Sequence, residues 1–169
     1  MMPAAFMDTM DEFVWTPGLS TVDIREIRRL KARIERERIP PGDDPDFHLK
    51  LGRGSLSDVE WTVQLLQLRH HVFGLPGTVH ALDALAQAGH VSAPDAAALR
   101  AAYGYCERTR NRLHLVRGTP GDALPVRPDQ LGALARSLGT TGPALRDEYR
   151  KVTRRCRAVV ERLFYGAGG

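Results

Sequence analysis

The apolar residues of this chain return every three or four positions, and no stretch alternates with the period of two that a half-buried strand requires. That regularity confines the chain to helices, and proline and glycine set where they stop. The spacing predicts a short helix over 4–14, ahead of "TPG". A second starts at Ser20 or Thr21, carries Ile24, Ile27, Leu30 and Ile34 on one stripe, and halts at "PPG" (40–42). "DDPDFH" reads as a turn. Ser57 is expected to open the third helix as a capping box with Glu60 three residues on. The fourth runs from Thr78 to Gly89, with Val79, Leu82 and Leu85 inward. Ser92, Pro94 and Asp95 start a long fifth that reaches Arg117 and stops at Gly118. After the loop "TPGDALPVRP", Pro128 opens a sixth helix through Leu138, closed by Gly139. Pro143 opens a seventh, with Leu145, Tyr149, Val152, Cys156, Val159 and Leu163 at near-heptad spacing. The expected fold is all-α, an antiparallel helical bundle of about six to seven helices. An N-terminal helix and linker take residues 1–19, the bundle takes 20–166, and a disordered tail takes 167–169.

The third helix has a different pattern from the rest. Val59, Trp61, Val63, Leu65, Leu66 and Leu68 spread around it, which implies a central, buried helix. One polar stripe survives, Glu60, Gln64, Gln67 and His71, and it must face solvent, another domain or a cleft.

Several function classes fall away. The chain's 169 residues suit one domain, and no apolar run nears the ~20 residues of a membrane span. The acidic N-terminus lacks the basic flank of a signal peptide, and two cysteines make no disulfide framework, so a reduced, cytoplasmic setting is expected. Cys106 and Cys156 occupy apolar helix positions and read as free core thiols. No two of the six histidines stand four apart on one helix, and no cysteine pair accompanies them, so no zinc site is expected. Walker and Rossmann glycine patterns are absent.

Charge is concentrated rather than large. Residues 25–38 and 146–162 each hold seven Lys/Arg against three acids, while the whole chain nets only +4. Such helices mark a nucleotide or nucleic-acid surface, or else two solvated faces laced by pairs such as Lys31–Glu35 and Arg33–Glu37.

The stretch "KLGRGSLSDVE" places Gly52 and Gly54 just before a helix N-terminus, with Lys50 and Arg53 beside them. Amides and helix dipole favour an anion there; the plain alternative is a tight turn that needs glycine. Asp58-Val59-Glu60 looks like the metal triplet of nucleotidyltransferases, but such triplets lie on strands. On a helix, positions i and i+2 point about 200° apart and do not converge on one ion. Asp58 and Glu60 are expected instead to cap the helix and to position Lys50 or Arg53.

The longer run "HLKLGRGSLSDVEWTVQLLQLRH" resembles the signature K-x-G-x-G-G-L-x-D-[IV]-E of glutamine synthetase adenylyltransferases. A related turn occurs in the uridylyltransferases that modify the PII signalling protein. "STVDIREIRRLKARIERERIP", "CERTRNRLHLVRGTPGDALP" and "YRKVTRRCRAVVERLFYG" are similar to the adenylyltransferases in the same order, so the resemblance spans roughly 20–166. Ser55 replaces the second glycine of the pair, and Ser57 stands where arginine is frequent. The resemblance implies a nucleotidyltransferase-associated helical domain, the C-terminal one of a long bifunctional enzyme. That enzyme uses ATP and magnesium to adenylylate a tyrosine of glutamine synthetase. A second active site removes the group by phosphorolysis, under control of glutamine and PII. The catalytic aspartate pair lies on strands upstream, so this chain alone is expected to be inactive and to bind no cofactor of its own. Its implied partners are the upstream nucleotidyltransferase domain, glutamine synthetase and PII. Lys50, Gly52, Arg53 and Gly54 become phosphate-proximal, with Ser57, Asp58 and Glu60 as capping and positioning residues. Gln64 and Gln67 become cleft-facing. The competing role for the turn is docking against the catalytic domain. The competing function is a non-catalytic module that docks glutamine synthetase, PII or nucleic acid through the basic helices. Nucleic acid fits least, because aromatics are few and no reading motif occurs.

Overall fold

Ser20 starts the first of six α-helices found in a computed structural model, whose described residues are 19–118 and 121–166. The helices are α1 Thr21–Glu37, α2 Leu56–His70, α3 Thr78–Gln87, α4 Ala93–Arg117, α5 Pro128–Ser137 and α6 Gly142–Leu163. A single 3-10 turn, Pro45–Phe47, lies between α1 and α2. No strand occurs among the described residues; an isolated bridge joins His48 to Ala123. The helix expected over 4–14 and the tail over 167–169 lie outside the described residues.

Local chemistry sets most helix ends. Ser20 and Asp23 form a reciprocal capping box, the Asp23 amide donating to Ser20 Oγ at 3.2 Å and the Ser20 amide to Asp23 Oδ2 at 2.9 Å. The Ser92 and Thr141 hydroxyls accept from the amides of Asp95 and Ala144. Gly118, at φ +66°, ends α4 in the left-handed region.

α2 departs from the expected start. It begins at Leu56 with Ser55 in the N-cap position, and Ser57 is already inside the helix, so the Ser57–Glu60 capping box does not form. The amides that a cap would satisfy have other partners. Leu56 donates to the Leu49 carbonyl at 3.3 Å and Ser57 to the Lys50 carbonyl at 2.9 Å. The Asp58 carboxylate reaches back to the Gly54 amide at 2.6 Å.

Two apolar clusters fill the bundle. The first gathers Val59, Val63 and Leu66 of α2, Leu82 and Leu85 of α3, Leu99 of α4, and Val159 and Val160 of α6. The second gathers Phe47, Leu49, Leu56, Leu113, Leu134 and Tyr149. α4 and α6 contribute to both and make the most extensive helix pair. α2 is central, as its all-round apolar pattern predicts, although Trp61 and Leu68 are only partly buried. α1 differs from its predicted stripe. Ile24 and Ile27 pack partly against the first cluster, but Leu30 is 45% exposed and Lys31 takes the inward place. Cys106 and Cys156 are buried free thiols, and burial pushes the Cys106 thiol up to about 12. Among the described residues no helix is long and apolar enough to cross a membrane.

Candidate functional site

The Gly52–Gly54 turn is glycine because backbone meets backbone. A Cβ on Gly52 would lie 2.4 Å from the His48 carbonyl oxygen and 2.7 Å from the Tyr149 hydroxyl. Gly54 sits at φ +77°, and its Cβ would lie 2.0 Å from the Thr153 carbonyl oxygen on α6. The turn is therefore seated directly on α6. His48 supports it from beneath: buried, it accepts the Leu51 amide at 3.0 Å and the Lys50 amide at 3.3 Å on Nδ1. Burial holds its pKa below the usual histidine value, with Asp122 and Asp43 opposing, which suits a nitrogen that must accept.

The amide cradle expected from the glycines is already filled by the protein. Gly52 donates to His48 at 2.9 Å, Ser55 to the Gly52 carbonyl at 3.1 Å, and Gly54, Leu56 and Ser57 have the partners described above. Positive charge at this edge comes from the exposed side chains of Lys50 and Arg53.

Beneath the turn lies a buried ion network that sequence spacing shows only in part. The Lys31 side chain is 1% exposed, and its Nζ donates to both Asp58 and Glu35. Arg157 Nη1 donates to Asp58 Oδ2 at 2.9 Å and to Glu35 Oε1 at 3.3 Å, and Arg157 Nε donates to Glu161 at 2.6 Å. Arg53 joins the far end, 3.4 Å from Glu161. Burial would raise the Asp58 pKa, but Lys31 and Arg157 outweigh it and hold the carboxyl below the usual range. Burial would lower that of Lys31, but Asp58 and Glu35 raise it. The predicted Lys31–Glu35 pair exists, yet as part of a core rather than of a solvated face.

Asp58 thus positions Lys31, Arg157 and the Gly54 amide, and no bond joins it to Lys50 or Arg53 among the described residues. Glu60 is half-buried, Gln64 is exposed, and Gln67 is half-buried and donates to the Val72 carbonyl at 3.0 Å, closing the end of α2. Among the described residues no group of three or more His, Cys, Asp or Glu is placed to hold a metal ion.

A cleft of about 610 Å³ opens between the turn and α6, lined by Arg53, Arg150, Arg154, Arg157, Asp46 and Glu161, among others. The sequence marks residues 146–162 as a basic run, either a nucleotide or nucleic-acid surface or a solvated face, without singling out these arginines. The usable signal was the spacing 150, 154, 157, which puts three arginines on one helical face.

The fold and the site together define an all-helical domain whose signature turn is seated on an arginine-rich helix. The chain belongs to the family described as GlnD PII-uridylyltransferase, whose family model matches residues 25–166. It is similar to the bifunctional glutamine synthetase adenylyltransferase/adenylyl-removing enzyme of Streptomyces avermitilis, with 49% identity over 172 aligned positions, covering 96% of this chain and 17% of that protein. The enzyme of the same name from Streptomyces coelicolor is 52% identical over 155 positions, covering 88% of this chain and 16% of that protein. That from Mycobacterium avium is 49% identical over 154 positions, with 87% and 15% covered. The chain therefore spans about one sixth of the length of the curated relatives it matches.

Proposed function

We propose that this chain is the helical domain of a bifunctional glutamine synthetase adenylyltransferase/adenylyl-removing enzyme. In that role it works in the cytoplasm beside a nucleotidyltransferase domain that carries the catalytic aspartates. The enzyme would transfer AMP from ATP to a tyrosine of glutamine synthetase and remove it again, with PII as a regulatory partner. The observation that carries this reading is the signature turn itself. Its glycines are fixed by contact with α6, so Lys50 and Arg53 stand at a defined edge beside an arginine-lined cleft.

Magnesium does not fit the Asp58–Glu60 pair. The Asp58 oxygens are held by Lys31, Arg157 and the Gly54 amide, and Glu60 lies two helix positions away. Metal chemistry is assigned to the companion domain, and the isolated chain should transfer no AMP. What this chain supplies is a wall: Lys50 and Arg53 offset phosphate charge at the mouth of the nucleotide cleft, Arg53 with a planar fork.

The test is a chimera of the Streptomyces coelicolor enzyme in which this chain replaces the matching segment. Labelled-AMP transfer to glutamine synthetase should be retained. Lys50→Ala and Arg53→Ala in that chimera should each slow transfer by roughly 30- to 1000-fold, as loss of one charge-assisted transition-state contact does. A folded chimera without activity, or AMP transfer by the isolated chain, would overturn the assignment. Full activity in both alanine variants would leave the turn a structural element only.

A further inference from the structure

We propose that the cleft between the glycine turn and α6 binds the phosphate chain of a triphosphate, with Arg150 and Arg154 as its principal ligands and Arg53 at its edge. This deepens the function proposed above and rests on it for the identity of the anion as a nucleotide.

The lining holds four arginines and two acids, Asp46 and Glu161. Not all of that charge is available. Arg157 is held by Asp58, Glu35 and Glu161, and this in turn occupies Glu161. Arg150 and Arg154 remain against Asp46, and Arg53 is held only at its exposed tip, 3.4 Å from Glu161. Arg154 is exposed and has no hydrogen bond or ion pair among the described residues. Arg150 pairs with Asp147 only at 3.6 Å, with both side chains more than 60% exposed, a geometry that contributes little. Its guanidinium instead stands 4.8 Å from the centre of the Phe47 ring, which steadies it at the cleft. The Thr153 hydroxyl donates to the Tyr149 carbonyl and is not available as a ligand.

Arg150, Arg154 and Arg157 are spaced i, i+4 and i+7 along α6. Arg157 is accounted for by its carboxylates, but like charges at the i, i+4 spacing of Arg150 and Arg154 destabilise a helix, and no contact in the fold explains Arg154. A bound anion removes the repulsion. Guanidinium forks match phosphate oxygens, and the cleft's volume falls within the range of small-ligand sites.

Binding to the full 169-residue chain tests this by titration calorimetry with sodium tripolyphosphate, ATP, orthophosphate and a short DNA duplex. Tripolyphosphate and ATP should bind with similar affinity and orthophosphate more weakly. Arg150→Ala/Arg154→Ala should weaken tripolyphosphate about tenfold or more, since two charge-assisted contacts are lost. Arg108→Ala/Arg112→Ala, which alters a separate cleft of about 450 Å³, should leave it unchanged. If the double variant fails to fold by circular dichroism, Arg154→Ala alone carries the test, because that exposed side chain makes no hydrogen bond or ion pair among the described residues. No binding of tripolyphosphate, an equal loss in both double variants, or tighter binding of the duplex than of ATP would overturn the site. The two readings fail separately. A chain that binds no tripolyphosphate yet supports AMP transfer in the chimera overturns the site alone. One that binds it but gives an inactive chimera overturns the enzyme assignment alone.

Discussion

Asp58 is a first-turn helix acid whose carboxylate is almost wholly out of solvent. Read locally, such an acid is a cap, and replacing it costs about 1 kcal/mol. Its actual partners come from positions 27 and 99 residues away. Removing it leaves Arg157 and buried Lys31 to share Glu35, and leaves the Gly54 amide unpaired, so Asp58→Ala should cost about 3–5 kcal/mol in chemical denaturation. The pH dependence has a definite sign. The folded pKa of Asp58 is depressed, so its contribution is complete above the unfolded carboxyl value of about 4 and is lost as pH falls through the lower folded value. The gap between native chain and variant should therefore be constant near neutrality and narrow only below about pH 4. A variant that unfolds within 1 kcal/mol of the native chain at pH 7 would reduce Asp58 to the cap that its position suggests.

At the scale of elements, the contact between turn and α6 carries the most specific prediction. Gly54→Ala adds a methyl that meets the Thr153 carbonyl and forces an unfavourable φ. Gly42 has a comparable φ, +98°, but open space around it. Gly42→Ala should therefore cost only the backbone term, about 1–2 kcal/mol, while Gly54→Ala should cost several kcal/mol more or abolish folding. Similar melting temperatures for the two would mean that the turn stands off the helix. The same contrast separates what sequence reveals from what it hides. The starts at Ser20 and Ser92 and the stop at Gly118 are legible because both hydrogen-bonding partners lie within one turn of chain, and the start at Pro128 because proline presets φ and needs no donor at a first helical position. The start of α2 is misjudged because its first amides bond to the Leu49 and Lys50 carbonyls, and because its first-turn acid, fixed by distant cations, accepts from the Gly54 amide ahead of the helix. The arginine face of α6 is legible as spacing, but the cleft that makes it a site depends on where the turn is seated, which no local pattern records.

For the whole molecule, the two apolar clusters do not divide the bundle into separable halves, because α4 and α6 each enter both. Unfolding should be a single transition. In a Trp15→Phe background, fluorescence of Trp61, which packs against the first cluster, should lose its signal at the same temperature as helical circular dichroism. Two resolved midpoints would show that the clusters melt independently. α1 is the exception to apolar assembly, since its one buried residue is a lysine. It is fastened chiefly by charge and by its partial packing on the first cluster. The glycine turn has a mechanical consequence of its own. With no side chain between Gly54 and the α6 backbone, the two are in rigid register, like a pawl against a rack. Any sliding of α6 along its axis would be passed to Arg53 without slack, so a partner that pushed on the far end of that helix would move the charged edge directly.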